Sequence, residues 1–182
     1  MNENNDMSAA RHALVRVTAP ANDYCVAVQS AAGSERRDFV ASMLRYLPTI
    51  YVSFIELTPD MVGVISDPSE AGAYFPEYVD EDYYESVRRH LETLMGEQDT
   101  FLETFEEDMK YSDTPIAASV SESLADIFQP LYNFVETVRE SGSESIAEAY
   151  ALCRETFESY WAQTLCNVLR ALNNIYFENR IP

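Results

Sequence analysis

Asp108, Asp113, Glu122 and Asp126 are the side chains with the most obvious capacity for chemistry. Ser119, Glu122, Ser123 and Asp126 recur at spacings of three and four, which puts them on one polar face of a helix. A tight turn before that helix would carry Asp108 and Asp113 towards the same face. Clustered carboxylate and hydroxyl oxygens are what Mg2+ or Mn2+ requires. Such a set could serve a divalent-metal-dependent hydrolase acting on a phosphorylated small molecule. The plainer reading is a solvated face, because carboxylates one helical turn apart are common on exposed helices.

A second constellation runs from Tyr74 to Glu85, YFPEYVDEDYYE, where five aromatic residues interleave with five acids. Carboxylates pair with Arg or Lys, and rings offer cation–π faces. Tyr74, Phe75, Glu77, Tyr78, Asp80 and Asp82 are therefore candidate contacts for a basic protein partner. Against that stands simple anchoring, in which Tyr83 and Tyr84 tie their helix to the core.

Other chemistries lack their residues. His12 and His90 are the two histidines, and neither follows a Glu by three positions, so the Glu-x-x-His pairs of diiron bundles are missing. Glu103, Glu106 and Glu107 resemble one acidic motif of helical nucleotide pyrophosphatases, but Glu122 and Asp126 have the wrong spacing for its companion. There is no phosphate-binding glycine loop, no G-x-S-x-G and no zinc spacing. Cys25, Cys153 and Cys166 form no CxxC pair, which points to reduced, packed thiols and a cytoplasmic setting. The opening MNENNDMS carries no basic region followed by an apolar run, so no secretion signal is expected. No apolar run approaches the ~20 residues of a membrane-spanning helix.

Charge is the strongest compositional signal. The chain carries −19, and residues 56–113 hold 17 acids against Arg88, Arg89 and Lys110, the one lysine. Such a surface repels nucleic-acid phosphates, so direct nucleic-acid binding is not expected. It attracts basic proteins or divalent cations, and it could mimic a nucleic acid. Solubility alone is the bland alternative.

The elements that would position these groups are helices. Five glycines in 182 residues leave little for hairpin turns. The expected fold is all-α: a single-domain bundle of five to seven helices, with residues 1–10 as a disordered tail and 11–182 as the domain. Thr18 to Ala31 reads as the first core helix, with Pro20 in its opening turn. Gly33 stops it and Ser34 caps the next. Phe39, Met43, Leu47, Ile50, Phe54 and Leu57 form a helical stripe with a kink or break at Pro48. Pro59, Gly63, Pro68, Gly72 and Pro76 punctuate a long loop over about 58–79, with Met61 to Ile65 as a possible extended piece.

Asp80 reads as a helix N-cap, with Val87, Leu91 and Leu94 buried, His90 at the edge of that stripe and Gly96 at the end. Phe101, Leu102 and Phe105 suggest a short helix. Thr114-Pro115 reads as the next start, followed by Ile116, Val120, Leu124, Ile127, Leu131, Phe134 and Val138, with a bend at Pro130. After Gly142, Ser143 caps a last helix striped by Ile146, Tyr150, Cys153, Phe157, Trp161, Leu165, Val168, Leu172 and Ile175.

The run Glu107-Asp108-Met109-Lys110-Tyr111-Ser112-Asp113-Thr114-Pro115-Ile116-Ala117-Ala118-Ser119, with Glu122, Leu124, Ala125, Asp126 and Ile127 after it, resembles a bacterial family, domain of unknown function 5063. Asn22-Asp23-Tyr24-Cys25, Leu47-Pro48 and Glu158-x-Tyr160-Trp161 are similar to the same family, so the likeness covers nearly all of the chain from about residue 10. It implies a compact, mostly helical, cytosolic bacterial protein and no particular activity. The leading functional expectation is thus a non-enzymatic acidic interaction module. The metal-dependent hydrolase and the nucleic-acid mimic stand behind it, and homo-oligomerisation stays open.

Overall fold

The computed structural model describes residues 3–58, 76–103, 116–140 and 143–178, with side chains from residue 14 in the first stretch and from 146 in the last. Six α-helices dominate these residues: α1 Glu3–Gln29, α2 Arg36–Glu56, α3 Glu81–Met95, α4 Val120–Glu140, α5 Ser143–Thr156 and α6 Ala162–Phe177. A π turn, Phe157–Trp161, joins α5 to α6. The fold is an all-α bundle. No described helix is long and apolar enough to cross a membrane.

The helical stripes become the core. Phe39, Met43, Leu47, Ile50 and Phe54 are all buried on α2, and Leu57 is buried just beyond it. On α4 the buried series is Val120, Leu124, Ile127, Leu131 and Phe134, with Val138 packed at its edge. This helix is the hub, touching α1, α3, α5 and α6. Tyr24 on α1 is fully buried and donates its hydroxyl to the Leu124 carbonyl at 2.7 Å, which satisfies an otherwise costly polar atom.

Prolines 20, 48 and 130 all lie inside described helices. Tertiary burial on both flanks of Pro48 outweighs the one hydrogen bond that proline removes, so α2 runs through it unbroken. Helix α1 starts at Glu3 rather than Thr18, so residues 3–10, expected as a tail, belong to a helix and Pro20 falls far from the opening turn. Ser34 caps no N-terminus: its hydroxyl donates to the Ser30 carbonyl, and α2 starts after Glu35 without a side-chain cap. Gly96 does end α3, at φ +57°, a conformation that favours glycine.

Two expectations around residues 100–120 are corrected. Thr100–Leu102 is not helical but forms β1, paired antiparallel with β2, Ala117–Ser119, in the register Phe101 to Ala118. Helix α4 therefore begins at Val120, not at Ile116, which is exposed and accepts the Glu103 amide on its carbonyl. Ser119 takes the capping place, its Oγ accepting the Glu122 amide at 3.2 Å. Asp99, just before β1, reinforces the start: its carboxylate accepts the Ser121 amide and hydroxyl, both at 2.8 Å. Thr114-Pro115, Phe105, Met61 to Ile65 and most of the expected 58–79 loop lie outside the described residues.

His90 is exposed rather than packed at a boundary, and Cys166 is exposed while Cys25 and Cys153 are buried.

Candidate groove between α4 and the π turn

The final rod of helix carries an irregularity that shapes the surface beside it. Cys153, Phe157, Trp161 and Leu165 follow one another at spacings of four. At 3.6 residues per turn each such step overshoots by about 40°, so three would rotate the stripe off the core by about 120°. The π turn winds more widely and absorbs that drift. Phe157, Trp161 and Leu165 all stay buried as a result, with the Phe157 and Trp161 rings edge-on at 4.6 Å.

The same turn aims Tyr160 outward, 56% exposed, across to α4. Its hydroxyl donates to Asp126 Oδ2 at 2.6 Å, while Tyr84 on α3 donates to Asp126 Oδ1 at 2.6 Å. One carboxylate thus joins three elements. Burial, then the hydrogen bond to Asp126, raises the Tyr160 phenol to about 12 and drives Tyr84 up as well. Both hydroxyls therefore stay protonated and donating at neutral pH.

Between α4 and α5 with the π turn lies a groove of about 670 Å3, the size of a small-molecule site. Asp126, Pro130, Asn133, Phe134 and Thr137 line one wall, spaced three and four apart along α4. Leu152, Cys153, Thr156, Tyr160 and Trp161 supply the other, and Pro76 and Glu77 close one side. Among the described residues the lining includes no Lys, Arg or His. Arg154, on the same rod, turns away: its guanidinium donates to the carbonyls of Phe54 and Leu57 and caps the end of α2. Cys153 donates to the Pro130 carbonyl at 3.6 Å, and burial pushes its thiol far up, so it is neutral.

The residues singled out in the sequence divide clearly. Glu122 and Asp126 are brought onto one exposed-to-intermediate face of α4, but Asp108 and Asp113 lie outside the described residues. Among the described residues no three His, Cys, Asp or Glu side chains gather where a metal could be held. Ser123 turns inward and donates to the Ser119 carbonyl at 2.8 Å.

In the acid–aromatic segment, Tyr74 and Phe75 are also outside the described residues. Tyr78 is built into the fold: Asn133 Oδ1 accepts its amide at 2.9 Å and that of Val79 at 3.2 Å, and its hydroxyl donates to Glu140 at 2.8 Å. Asp80 caps α3 by accepting the Tyr83 amide at 2.8 Å. Tyr83 packs edge-on against Phe128 and Tyr132, the anchoring role weighed for it. Glu77 and Asp82 are exposed, and neither side chain has a hydrogen bond or ion pair among the described residues. Tyr160 was missed as a site residue; the run of spacings of four around it is the signal that would have found it.

These features define an all-helical bundle with an acid-edged groove and no assembled catalytic set among the described residues. The chain belongs to the family Domain of unknown function (DUF5063), whose model matches residues 9–178. It is similar to the crystal structure of protein BF1032 from Bacteroides fragilis, at 28% identity over 88% of this chain and 90% of that one, with a TM-score of 0.74. No curated protein matches it.

Proposed function

We propose that this chain is a non-enzymatic, cytoplasmic interaction module whose acidic face binds a basic protein partner. The observation that carries this reading is the asymmetry of charge satisfaction over residues 76–103. Its two bases are spent internally: Arg88 pairs with Glu85 and Glu92, and Arg89 with Glu85. Glu77, Glu81 and Asp82 stand exposed beside them, with no cationic partner among the described residues. Pairing both bases within α3 while leaving these acids free concentrates negative potential on one region, which steers a basic protein towards it.

The experiment is affinity capture from the native cell with the wild-type chain and with a Glu77→Gln, Glu81→Gln, Asp82→Asn variant in parallel. Asp80 is left intact because it caps α3. A basic protein retained by the wild type and depleted by the variant is the expected result. Equal retention by both would remove the basis for this reading.

A further inference from the structure

We infer that the groove between α4 and the π turn is where that partner docks, and that it takes an extended segment carrying two arginines about three residues apart. The inference rests on the basic-partner reading and adds the site and the spacing. Its first support is charge. Asp126 stands at the Tyr160 end of the groove and Glu77 on its edge, and among the described residues the lining holds no cation to neutralise either. An ionised carboxylate offers about four acceptor positions. The two tyrosine hydroxyls occupy one on each oxygen of Asp126, which fixes its orientation and leaves acceptor capacity for a guanidinium.

The second support is spacing. Glu77 is held near Asn133, because the following amide, that of Tyr78, donates to the Asn133 side chain. Asn133 lies seven residues beyond Asp126 on the same face of α4, so the two acidic positions are about 10 Å apart along the helix axis. Three residues of an extended polyproline-II segment span about 9 Å and, at three residues per turn, bring both side chains back to the same face.

The third support is the wall between them. Phe134, Pro130 and Leu152 offer apolar surface for the methylene stems, and the Tyr160 ring offers a face for a guanidinium. Asn133 uses its carbonyl oxygen internally, which leaves its amide hydrogens for a peptide carbonyl.

The test uses Trp161, the single tryptophan of the chain, which lines the groove. Its fluorescence is followed at physiological salt while a capped tetrapeptide, arginine first and last with alanine between, is added to the full chain. A saturable change is expected. Replacing both arginines by neutral citrulline should abolish it. Asp126→Asn, which keeps an oxygen for the tyrosines, should weaken binding about tenfold. Leu152→Lys, at a position already 39% exposed, should weaken it too without loss of fold. Asp38→Asn, exposed on α2 and outside the groove lining, should leave it within about twofold.

Binding that is salt-sensitive but silent at Trp161 and indifferent to Asp126→Asn would overturn the groove while leaving the basic-partner reading standing. Equal binding of the citrulline peptide would overturn the arginine requirement. If residues 59–75 of this chain fill the groove instead, no saturable Trp161 response appears, and the inference fails.

Discussion

At the scale of single residues, Asp126 does the most. It ties α3 and the π turn to α4 through Tyr84 and Tyr160. Hydrogen bonds to a charged group contribute about 1.5–3 kcal/mol. Tyr84→Phe should therefore lower unfolding stability by about 1–2 kcal/mol in chemical denaturation, and Tyr160→Phe by less because it is more exposed. The phenols also predict the alkaline limit. Tyr24, Tyr84, Tyr132, Tyr150 and Tyr160 are all raised in the folded state, chiefly by burial. Above pH 10 the unfolded chain loses these protons while the folded chain keeps them. The unfolded state then binds fewer protons, so stability falls as pH rises. The contribution is whole below pH 10 and declines through about pH 12, the folded value of Tyr132 and Tyr160. Denaturation midpoints at pH 8, 10 and 11, with phenolate absorbance followed in parallel, check this. A flat midpoint across that range would show the phenols to be unperturbed.

At the scale of elements, the helices were legible because burial leaves a period. The stripes on α2 and α4 could be read residue by residue, as could the Asp80 cap and the Gly96 stop. The start of α4 was not. Thr-Pro is a strong local signal, yet Ala117–Ser119 pairs with Thr100–Leu102, and strand pairing between distant segments leaves no local trace. The real start depends on Asp99, twenty-two residues upstream of the amide it accepts. Asp99→Ala should cost about 1–3 kcal/mol, since it leaves the Ser121 amide and hydroxyl without their acceptor. Urea unfolding measures it, and an unchanged midpoint would mean the cap is idle. The groove was illegible for a related reason. Phe134, Cys153 and Trp161 in its walls read as core from the sequence, and only the mutual geometry of the two helices opens a cavity beside them. Asp126 is singled out in the sequence as a metal-ligand candidate with Asp108, Asp113 and Glu122; the first two lie outside the described residues, and the donors its carboxylate meets among the described residues are tyrosines.

At the scale of the whole molecule, charge separates the readings. A metal bound to the native fold alone at a hundred times its dissociation constant would add about 2.7 kcal/mol of stability. Thermal melts with Mg2+ or Mn2+ are expected to show only a small rise, from screening of the acidic face. A large rise abolished by Asp126→Ala, together with turnover of a phosphorylated substrate, would favour the hydrolase.

The most direct measurement is the association rate of the captured partner at low and at physiological salt. If the acidic face recruits it, the rate should fall about tenfold or more as the Debye length shrinks to about 8 Å, with dissociation changing far less. The Glu77→Gln, Glu81→Gln, Asp82→Asn variant should associate more slowly at low salt and show a shallower salt dependence. An association rate indifferent both to salt and to those three substitutions would contradict the account.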